Sequence, residues 1–161
     1  MSELRKYLWI AFISMLPLIE LRGAIPVSQA LGLPLLPSYV VCIIANMVPI
    51  PFIYFFAHKV LLWGKDKPAI GPFFRFCLEK GEKGGRKLMK TAGEHGTFVA
   101  LFLFVAIPVP GTGAWTGTLA ASILDVGFRR SIIAVLCGVL TAGIIMGLVS
   151  MGFFGAVGTL G

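Results

Sequence analysis

The sequence has few charged residues, and long stretches have none. Only 13% of the 161 residues are charged, whereas 57% are hydrophobic. Charge is missing altogether from 38–57, 98–124 and 131–161. Each stretch is about long enough to cross a ~30 Å hydrocarbon core, which takes roughly 20 helical residues. This composition excludes a soluble domain. We expect an all-α integral membrane protein, because the alternating ten-residue segments of a membrane barrel are absent.

Histidine and cysteine are also scarce, and neither residue type forms a cluster. His58 and His95 stand alone, so no metal site is predicted. Cys42, Cys77 and Cys137 lack metal-ligand spacing and are interpreted as small buried hydrophobes. The sequence contains no Ser-His-Asp or Cys-His constellation and no nucleotide-binding fingerprint. We therefore expect no catalytic residue, no cofactor and no enzyme activity.

Positive charge is concentrated in one polar segment, 64–96. The net charge is +7, and eight of the 14 Lys and Arg residues lie between Lys65 and Lys90. Such a segment is expected on the cytoplasmic side of a membrane, where it contacts anionic lipid headgroups rather than nucleic acid. Its aromatic stretch 73–80 predicts either a short interfacial helix or part of a solvated loop. We expect the glycines after it to end that helix: Gly81, Gly84 and Gly85.

The first apolar segment, 7–36, is expected to remain in the mature chain. It is too long for the apolar region of a signal peptide, and no small-residue cleavage site ends it. A prokaryotic plasma membrane is the expected location.

Two apolar segments are interrupted by proline and glycine. The runs Leu8–Ile19 and Phe98–Ile107 lead into the breaks "PLIELRGAIP" and "PVPGTG". The first run is about 18 Å of helix, only half a bilayer. Because a break exposed to lipid would leave backbone groups unsatisfied, each break must be buried in protein or line a wet cavity.

Two membrane topologies are compatible with these breaks. Each broken segment is either a re-entrant hairpin or a kinked full crossing. Under the positive-inside rule, Arg129 and Arg130 favour hairpins, whereas Arg5 and Lys6 favour crossings. The half-length runs favour the hairpins.

The two halves of the chain follow a similar plan. "FISMLPLIELRGAIP" aligns with "LFVAIPVPGTGAWTG", which places Pro17 on Pro108, and farther on Ser38 falls on Ser131. Corresponding broken segments predict an inverted repeat with its site at the breaks. We expect one membrane domain with repeats at about 7–60 and 97–155, each a re-entrant hairpin plus a transmembrane helix. A basic cytoplasmic loop, the segment 64–96, is expected to join them.

Glu20 and Arg22 are the charged residues within the first break. A lone ionised group at the bilayer centre costs on the order of 2.5–3.5 kcal/mol, so intramembrane charges are functional candidates. Glu20 is interpreted as a proton acceptor and Arg22 as the cation for an anionic group. In the hairpin topology, the helix N-termini at Gly23-Ala24 and Thr112-Gly113 add N–H donors for a phosphate or carboxylate. The alternative is a buried pair that only stabilises the fold.

The candidate binding site combines this pair with both breaks and one amide of the helix between them: Glu20, Arg22, Gly23, Pro26, Asn46, Pro108, Pro110, Gly111, Thr112 and Gly113. Asn46 is either an interhelical hydrogen-bonding residue or part of a cavity lining.

A second group is predicted to contact lipid headgroups: Asp125, Arg129 and Arg130. The Gly-x-x-x-Gly patterns at Gly113–Gly117 and Gly143–Gly147 predict close helix packing within or between subunits, and a homodimer is expected.

Two motifs carry a family resemblance. "ELRGAIP" and "PVPGTGAWTGTLAA", together with the basic segment and the length, resemble the small multidrug export protein family over nearly the whole chain. That family looks related to the DedA/VTT superfamily. The relation implies two inverted repeats of a re-entrant hairpin plus a transmembrane helix. It also implies movement of lipids, including polyprenyl phosphate carriers, between leaflets, with proton coupling.

The resemblance also implies roles for particular residues. Glu20 matches the acidic residue of the superfamily's first hairpin, and the second break matches through Pro108, Pro110 and Gly111. The arginines that usually flank that break are replaced here, and Arg22 is the candidate substitute from the other repeat.

Three functions remain open from the sequence. The leading expectation is a transporter that moves an anionic lipid or lipid phosphate with proton coupling. The first alternative is a proton-coupled exporter of small cationic or lipophilic compounds. The second is a structural membrane protein that transports nothing.

Overall fold

The computed structural model describes residues 2–17, 19–69, 71–109 and 112–158, and within these ranges the regular structure is helical. The helices are α1 (Glu3–Met15), α2 (Glu20–Ala30), α3 (Leu35–Met47), α4 (Ile50–Gly64), α5 (Gly71–Ala106), α6 (Ala114–Ile123) and α7 (Phe128–Gly158). The predicted all-α fold is confirmed.

Two stretches are long and apolar enough to cross a membrane. They are Leu35–Gly64, which joins α3 and α4, and Phe128–Phe153 within α7, with mean hydropathies of 2.2 and 2.7. Many of their large apolar side chains face outward, among them Phe52 and Leu148. By contrast α1, α2 and α6 have 13, 11 and 10 residues, or about 20 Å of helix or less. These three helices are too short to cross a ~30 Å hydrocarbon core upright.

The basic segment is helical, and the prediction of a loop across 64–96 is wrong for most of its length. Helix α5 begins at Gly71 and runs through the glycines that were expected to end it: Gly81, Gly84 and Gly85. Each glycine disfavours a helix by about 1 kcal/mol relative to alanine, but the surrounding Glu, Lys, Leu and Met residues favour one. The backbone departs from helical geometry at Gly93, where φ is 65°. The kink therefore lies close to the end of the basic segment.

Two prolines act differently from the expectation. Pro26 lies inside α2 and does not end it. The stretch 38–57 is divided at Val48 and Pro49, where α3 ends and α4 begins, although both residues keep right-handed helical backbone angles. Proline is well tolerated in the first turn of a helix, so α4 starts directly after the break.

The ends of α2 and α6 share the same backbone hydrogen bonds. The N–H of Leu33 reaches the carbonyl of Ser28, and the N–H of Val126 reaches that of Ala121. In both turns the preceding residue has positive φ, Gly32 at 69° and Asp125 at 53°, as expected of a helix ending in the left-handed conformation. The two turns are 93 residues apart in sequence.

The next helices begin in the same register. Helix α3 begins at Leu35 and α7 at Phe128, again 93 residues apart. Ser38 Oγ donates to the Pro34 carbonyl at 2.8 Å, and Ser131 Oγ lies 3.2 Å from that of Gly127. The pairing of Ser38 with Ser131 suggested by the sequence therefore has a counterpart in local geometry.

The two halves pack through each other's short helices. Helix α2 packs against α7, and α6 packs against α4. Within the halves, α1 contacts α2 and α3, while α5 contacts α6 and α7. One apolar cluster includes the fully buried side chains of Ile10, Leu21, Ile50 and Val105. The short helices thus contribute one face each to a common core.

Glycines allow the closest helix approaches. A Cβ at Gly117 would lie 2.7 Å from Val105 of α5, and one at Gly143 would collide with the Tyr39 ring of α3. Both Gly-x-x-x-Gly patterns therefore supply contacts within the chain.

Replacing Gly138 with alanine should lower the free energy of unfolding by about 1–3 kcal/mol, because overpacking strains a close-packed interior. The added Cβ would lie 2.6 Å from Val105 Cβ and 3.0 Å from the Phe102 carbonyl oxygen. The matched control is Gly152→Ala in the same helix, where no atom lies within 4 Å of the added carbon. Denaturant titration of the purified protein in micelles would measure both. Equal stabilities would contradict the tight contact between α5 and α7.

Candidate functional site

Glu20 opens α2 in an uncommon backbone conformation. Its φ is 52°, in the left-handed region that residues other than glycine seldom adopt. Its N–H donates to the Leu16 carbonyl, which closes the turn after α1. The side chain is only 5% exposed. The turn therefore directs an acidic side chain into the interior instead of continuing α1.

The Glu20 carboxylate caps the N-terminus of α6. Oε2 accepts a hydrogen bond from the Ala114 N–H at 3.0 Å, and Oε1 accepts one from the Trp115 N–H at 2.9 Å. These N–H groups have no acceptor within their own helix, and the helix dipole favours negative charge beside them. A carboxylate from the first half thus satisfies the start of a helix in the second half.

Arg22 binds the other side of the second break, where α5 ends. Its Nη2 donates to the Val105 carbonyl at 3.0 Å, and its Nη1 donates to the Thr112 hydroxyl at 3.1 Å and to the Val109 carbonyl. Val105 lies in the last turn of α5, where helical carbonyls lack donors and attract cations. The guanidinium therefore caps the C-terminal end of α5.

Pro108 explains why these carbonyls are available. Proline has no N–H to continue the helical bonds, and α5 ends at Ala106, two residues before it. The Val109 N–H bonds to the Ile107 carbonyl at 2.8 Å instead of to Val105, four residues earlier. The Thr112 hydroxyl lies 2.9 Å from the carbonyls of both Ile107 and Val109. The break is thus a compact turn stabilised by Thr112 and by Arg22 from the other half.

Glu20 and Arg22 do not pair with each other. Among the described residues, no ion pair within 4 Å joins them. Each group bonds to a different helix end across the break, with the charge sign that the end favours. The two side chains, two residues apart, therefore connect α2 to both sides of the second break.

Several predicted donors have other roles. The Gly23 N–H bonds to the Ile19 carbonyl at 3.1 Å, and the Thr112 N–H bonds to the Val109 carbonyl at 3.2 Å. The N–H groups that bind an anion are instead those of Ala114 and Trp115, and the anion is the Glu20 carboxylate. Gly113 makes room for it, since a Cβ there would collide with Glu20.

The remaining predicted residues are distributed as follows. Asn46 is buried near the end of α3, and Pro26 lies in α2 one turn after Arg22. Pro110 and Gly111 lie outside the described residues. Asp125 is exposed at the end of α6, and Arg130 pairs with Glu94 of α5 at 2.5 Å. Headgroup contact by Asp125, Arg129 and Arg130 stays a prediction.

Sequence reasoning missed the backbone groups of the site. Backbone groups are the same in nearly every residue, so the sequence does not indicate which of them bind. Those of the site are the carbonyls of Val105 and Val109 and the N–H groups of Ala114 and Trp115. Pro108 and Gly113 were the available signals, because the first ends a helix and the second permits a close approach. The sequence predicted both residues as part of the site, but it predicted that they face a substrate. In the structure the backbone beside them binds Arg22 and Glu20 of the same chain.

Two apolar stretches of membrane-spanning length, together with a short helix, α6, that is capped by the buried Glu20 carboxylate, are typical of an integral membrane protein of helical type. The chain belongs to the family described as "Putative small multi-drug export protein", whose model matches residues 20–145. The matched region begins at Glu20, inside the first break, and includes the whole of the second break. Comparison with curated proteins and with solved structures gives no match.

Proposed function

We propose that this protein is a proton-coupled membrane transporter in which the Glu20 carboxylate is the group that takes up and releases the proton. One observation carries the proposal: a buried carboxylate of one half accepts two N–H bonds from a helix N-terminus of the other. A protonated carboxyl group carries no charge and uses one oxygen to hold its proton. Protonation would therefore weaken the contact between the halves, as a transport cycle requires.

The proposed architecture is two inverted repeats, each a re-entrant hairpin plus a transmembrane helix. The short lengths of α1, α2 and α6, and the matching turns 93 residues apart, support it. In this arrangement the basic segment 64–96 is cytoplasmic, in a prokaryotic plasma membrane. A relation to the DedA/VTT superfamily and assembly as a homodimer are part of the proposal, since one chain has few helices to enclose a pathway.

The proposed substrate is an anionic lipid or lipid phosphate. The N-terminus of α6 already binds a carboxylate, and phosphate is an anion that helix N-termini accept equally well. When Glu20 is protonated, a substrate phosphate would take its place beside Ala114 and Trp115. Arg22, which interacts electrostatically with Glu20, would supply the positive charge. Transport in this proposal involves no covalent chemistry.

Export of small cationic or lipophilic compounds is the second candidate. The family description names multi-drug export. Glu20 is also the one charged side chain among the buried residues in the described part of the chain. In that case Glu20 would bind the cation directly, and Arg22 would have a supporting role only. A purely structural role for both residues is the remaining alternative.

The test uses purified protein in liposomes. We would measure the movement of a fluorescent anionic lipid between leaflets, with and without a pH gradient. The wild type should move the lipid faster when the gradient is imposed, and Arg22→Ala should remove this acceleration. The matched control is Arg5→Ala, an exposed arginine on α1.

The outcomes separate the three functions. No movement above protein-free liposomes would overturn the lipid proposal. Uptake of a cationic dye that Glu20→Gln abolishes and Arg22→Ala spares would establish the exporter instead. Loss of stability in both variants, with normal transport by the protein that remains folded, would identify a structural role for Glu20 and Arg22. A protein that moves neither the lipid nor the dye would have a purely structural function.

A further inference from the structure

An apolar groove lies between the start of α3 and the second half of α7. Its volume is about 310 Å³, and it follows α7 from Gly143 to Met151, which is about 12 Å of helix. The described residues that line it carry no charge. Tyr39 brings the one polar side-chain group of this lining, and its hydroxyl already donates to the Leu140 carbonyl at 2.8 Å. The groove therefore suits a hydrocarbon chain and offers no group for a charged ligand.

One end of the groove lies next to the turn that carries the buried charges. A Cβ at Gly143 would collide with the Tyr39 ring and would lie 3.3 Å from Leu21 Cδ2. The three residues therefore meet at one point. Leu21 is buried and stands between Glu20 and Arg22 in the first turn of α2. A single residue thus separates this end of the groove from both charged residues.

The corresponding place in the other half of the chain is filled. The shift of 93 residues that relates the start of α3 to the start of α7 takes Leu35 to Phe128 and Tyr54 to Gly147. At the groove, a Cβ on Gly147 would lie 3.6 Å from Leu35, an ordinary contact distance that leaves the space open. In the corresponding pair, the rings of Tyr54 and Phe128 pack with their centroids 5.2 Å apart. Tyr54 also donates to the Val126 carbonyl.

We propose that the groove between α3 and α7 binds the hydrocarbon chain of the lipid substrate, while the anionic headgroup reaches the turn of Glu20 and Arg22. This inference rests on the proposed function, since it assigns the apolar part of the same substrate. Alternating access requires a path that is open in one repeat while the equivalent path in the other is closed. The open pair at Gly147 and the packed rings at Tyr54 fit this requirement.

The size of the groove favours a hydrocarbon chain over a second copy of this protein. Its volume is at the lower end of the range for ligand pockets. A second copy would instead need a broad helix face, because stable interfaces between proteins bury on the order of 1,200–2,000 Å². The position of the groove beside Leu21 also connects it to the site of the headgroup.

The experiment locates a lipid chain on the full chain in phosphatidylcholine liposomes. The probe is a trace of phosphatidylglycerol whose acyl chain ends in a photoactivatable diazirine, and mass spectrometry identifies the labelled peptides. In the wild type, labelling at 35–39 and 143–151 should exceed labelling of the exposed α4 face at Phe52 and Phe56. An excess of unlabelled phosphatidylglycerol should compete with the probe in the groove.

Gly147→Phe places a ring in the groove and should lower this labelling about tenfold, the effect of excluding about two buried methylene groups. The matched control is Gly152→Phe in the same helix, where no atom lies within 4 Å of the added carbon. It should be labelled like the wild type. If Gly147→Phe does not fold, Ile144→Trp decides the question, because Ile144 is an exposed residue of the lining.

The contrary outcomes are distinct. Equal labelling of the groove and of the α4 face would overturn the binding site and leave a surface that any membrane lipid contacts. A disulfide between two copies of Ile144→Cys, absent from the wild type, would assign the groove to a second copy. Labelling that persists in a protein that moves no lipid would overturn the proposed function alone, whereas transport without groove labelling would overturn only this inference.

Discussion

Replacing Glu20 should produce the largest loss of stability in this protein. A hydrogen bond to a charged group contributes about 1.5–3 kcal/mol, and the carboxylate accepts two such bonds from α6. Glu20→Ala would leave both N–H groups without an acceptor, so we expect the free energy of unfolding to fall by roughly 3–5 kcal/mol. Glu20→Gln keeps one acceptor oxygen without the charge and should lose about 1.5–3 kcal/mol.

Denaturant titration in micelles would measure this order of stability. The matched control is Glu3→Gln, which removes an exposed carboxylate from the first turn of α1. It should change the free energy of unfolding by less than about 1 kcal/mol. If Glu20→Gln proved as stable as the wild type, the carboxylate would not be the cap of α6, and its proposed part in proton coupling would lose its basis.

The backbone at Glu20 supports a role beyond stability. A left-handed conformation costs a residue with a Cβ roughly 1–2 kcal/mol, and glycine would avoid this cost. The chain nevertheless places a glutamate there, at φ 52°. Strained positions are found preferentially at functional sites. Glycine would fit the backbone at this position but has no carboxylate. The position is therefore occupied by glutamate because its carboxylate is needed.

The sequence predicted the elements of the site but not their partners. Charged residues within an apolar segment and proline breaks are local features, so the sequence alone indicates Glu20, Arg22 and Pro108. Their partners are backbone groups more than 80 residues away, supplied by packing α2 into the second half. No pattern in the sequence marks which helix end a buried charge will reach.

The same contrast between local and long-range information explains the errors in the fold. The charges and glycines of the basic segment are typical of a loop, whereas helix formation depends on the propensities of the whole window. The sequence does not mark the division before α4, because proline is also a normal residue of a helix start. The two matching turns were detectable in the sequence, since Ser38 and Ser131 follow them at the same distance.

Replacing Arg22 should give the second large effect. Arg22→Ala would remove three hydrogen bonds at the end of α5 and leave the Val105 carbonyl without its donor. Because Arg22 is only half-buried, water can replace part of this contact, and we expect a loss of about 1–3 kcal/mol. Arg22→Lys keeps the charge but not the planar fork that reaches several acceptors. It should therefore fall between the wild type and the alanine variant.

A double-mutant cycle would show whether the two caps act as one unit. Residues that share one network have coupling energies of about 0.5–3 kcal/mol, whereas independent sites add within about 0.5 kcal/mol. We expect Glu20→Gln and Arg22→Ala to be coupled, because Glu20 caps α6 and Arg22 caps α5 on either side of one turn. The matched control pairs Glu20→Gln with Gly152→Ala on the far part of α7 and should be additive. Additive losses in the first pair would mean that protonating Glu20 leaves the Arg22 contacts intact. A single proton would then release α6 alone, and the transport cycle would need a separate event to free α5.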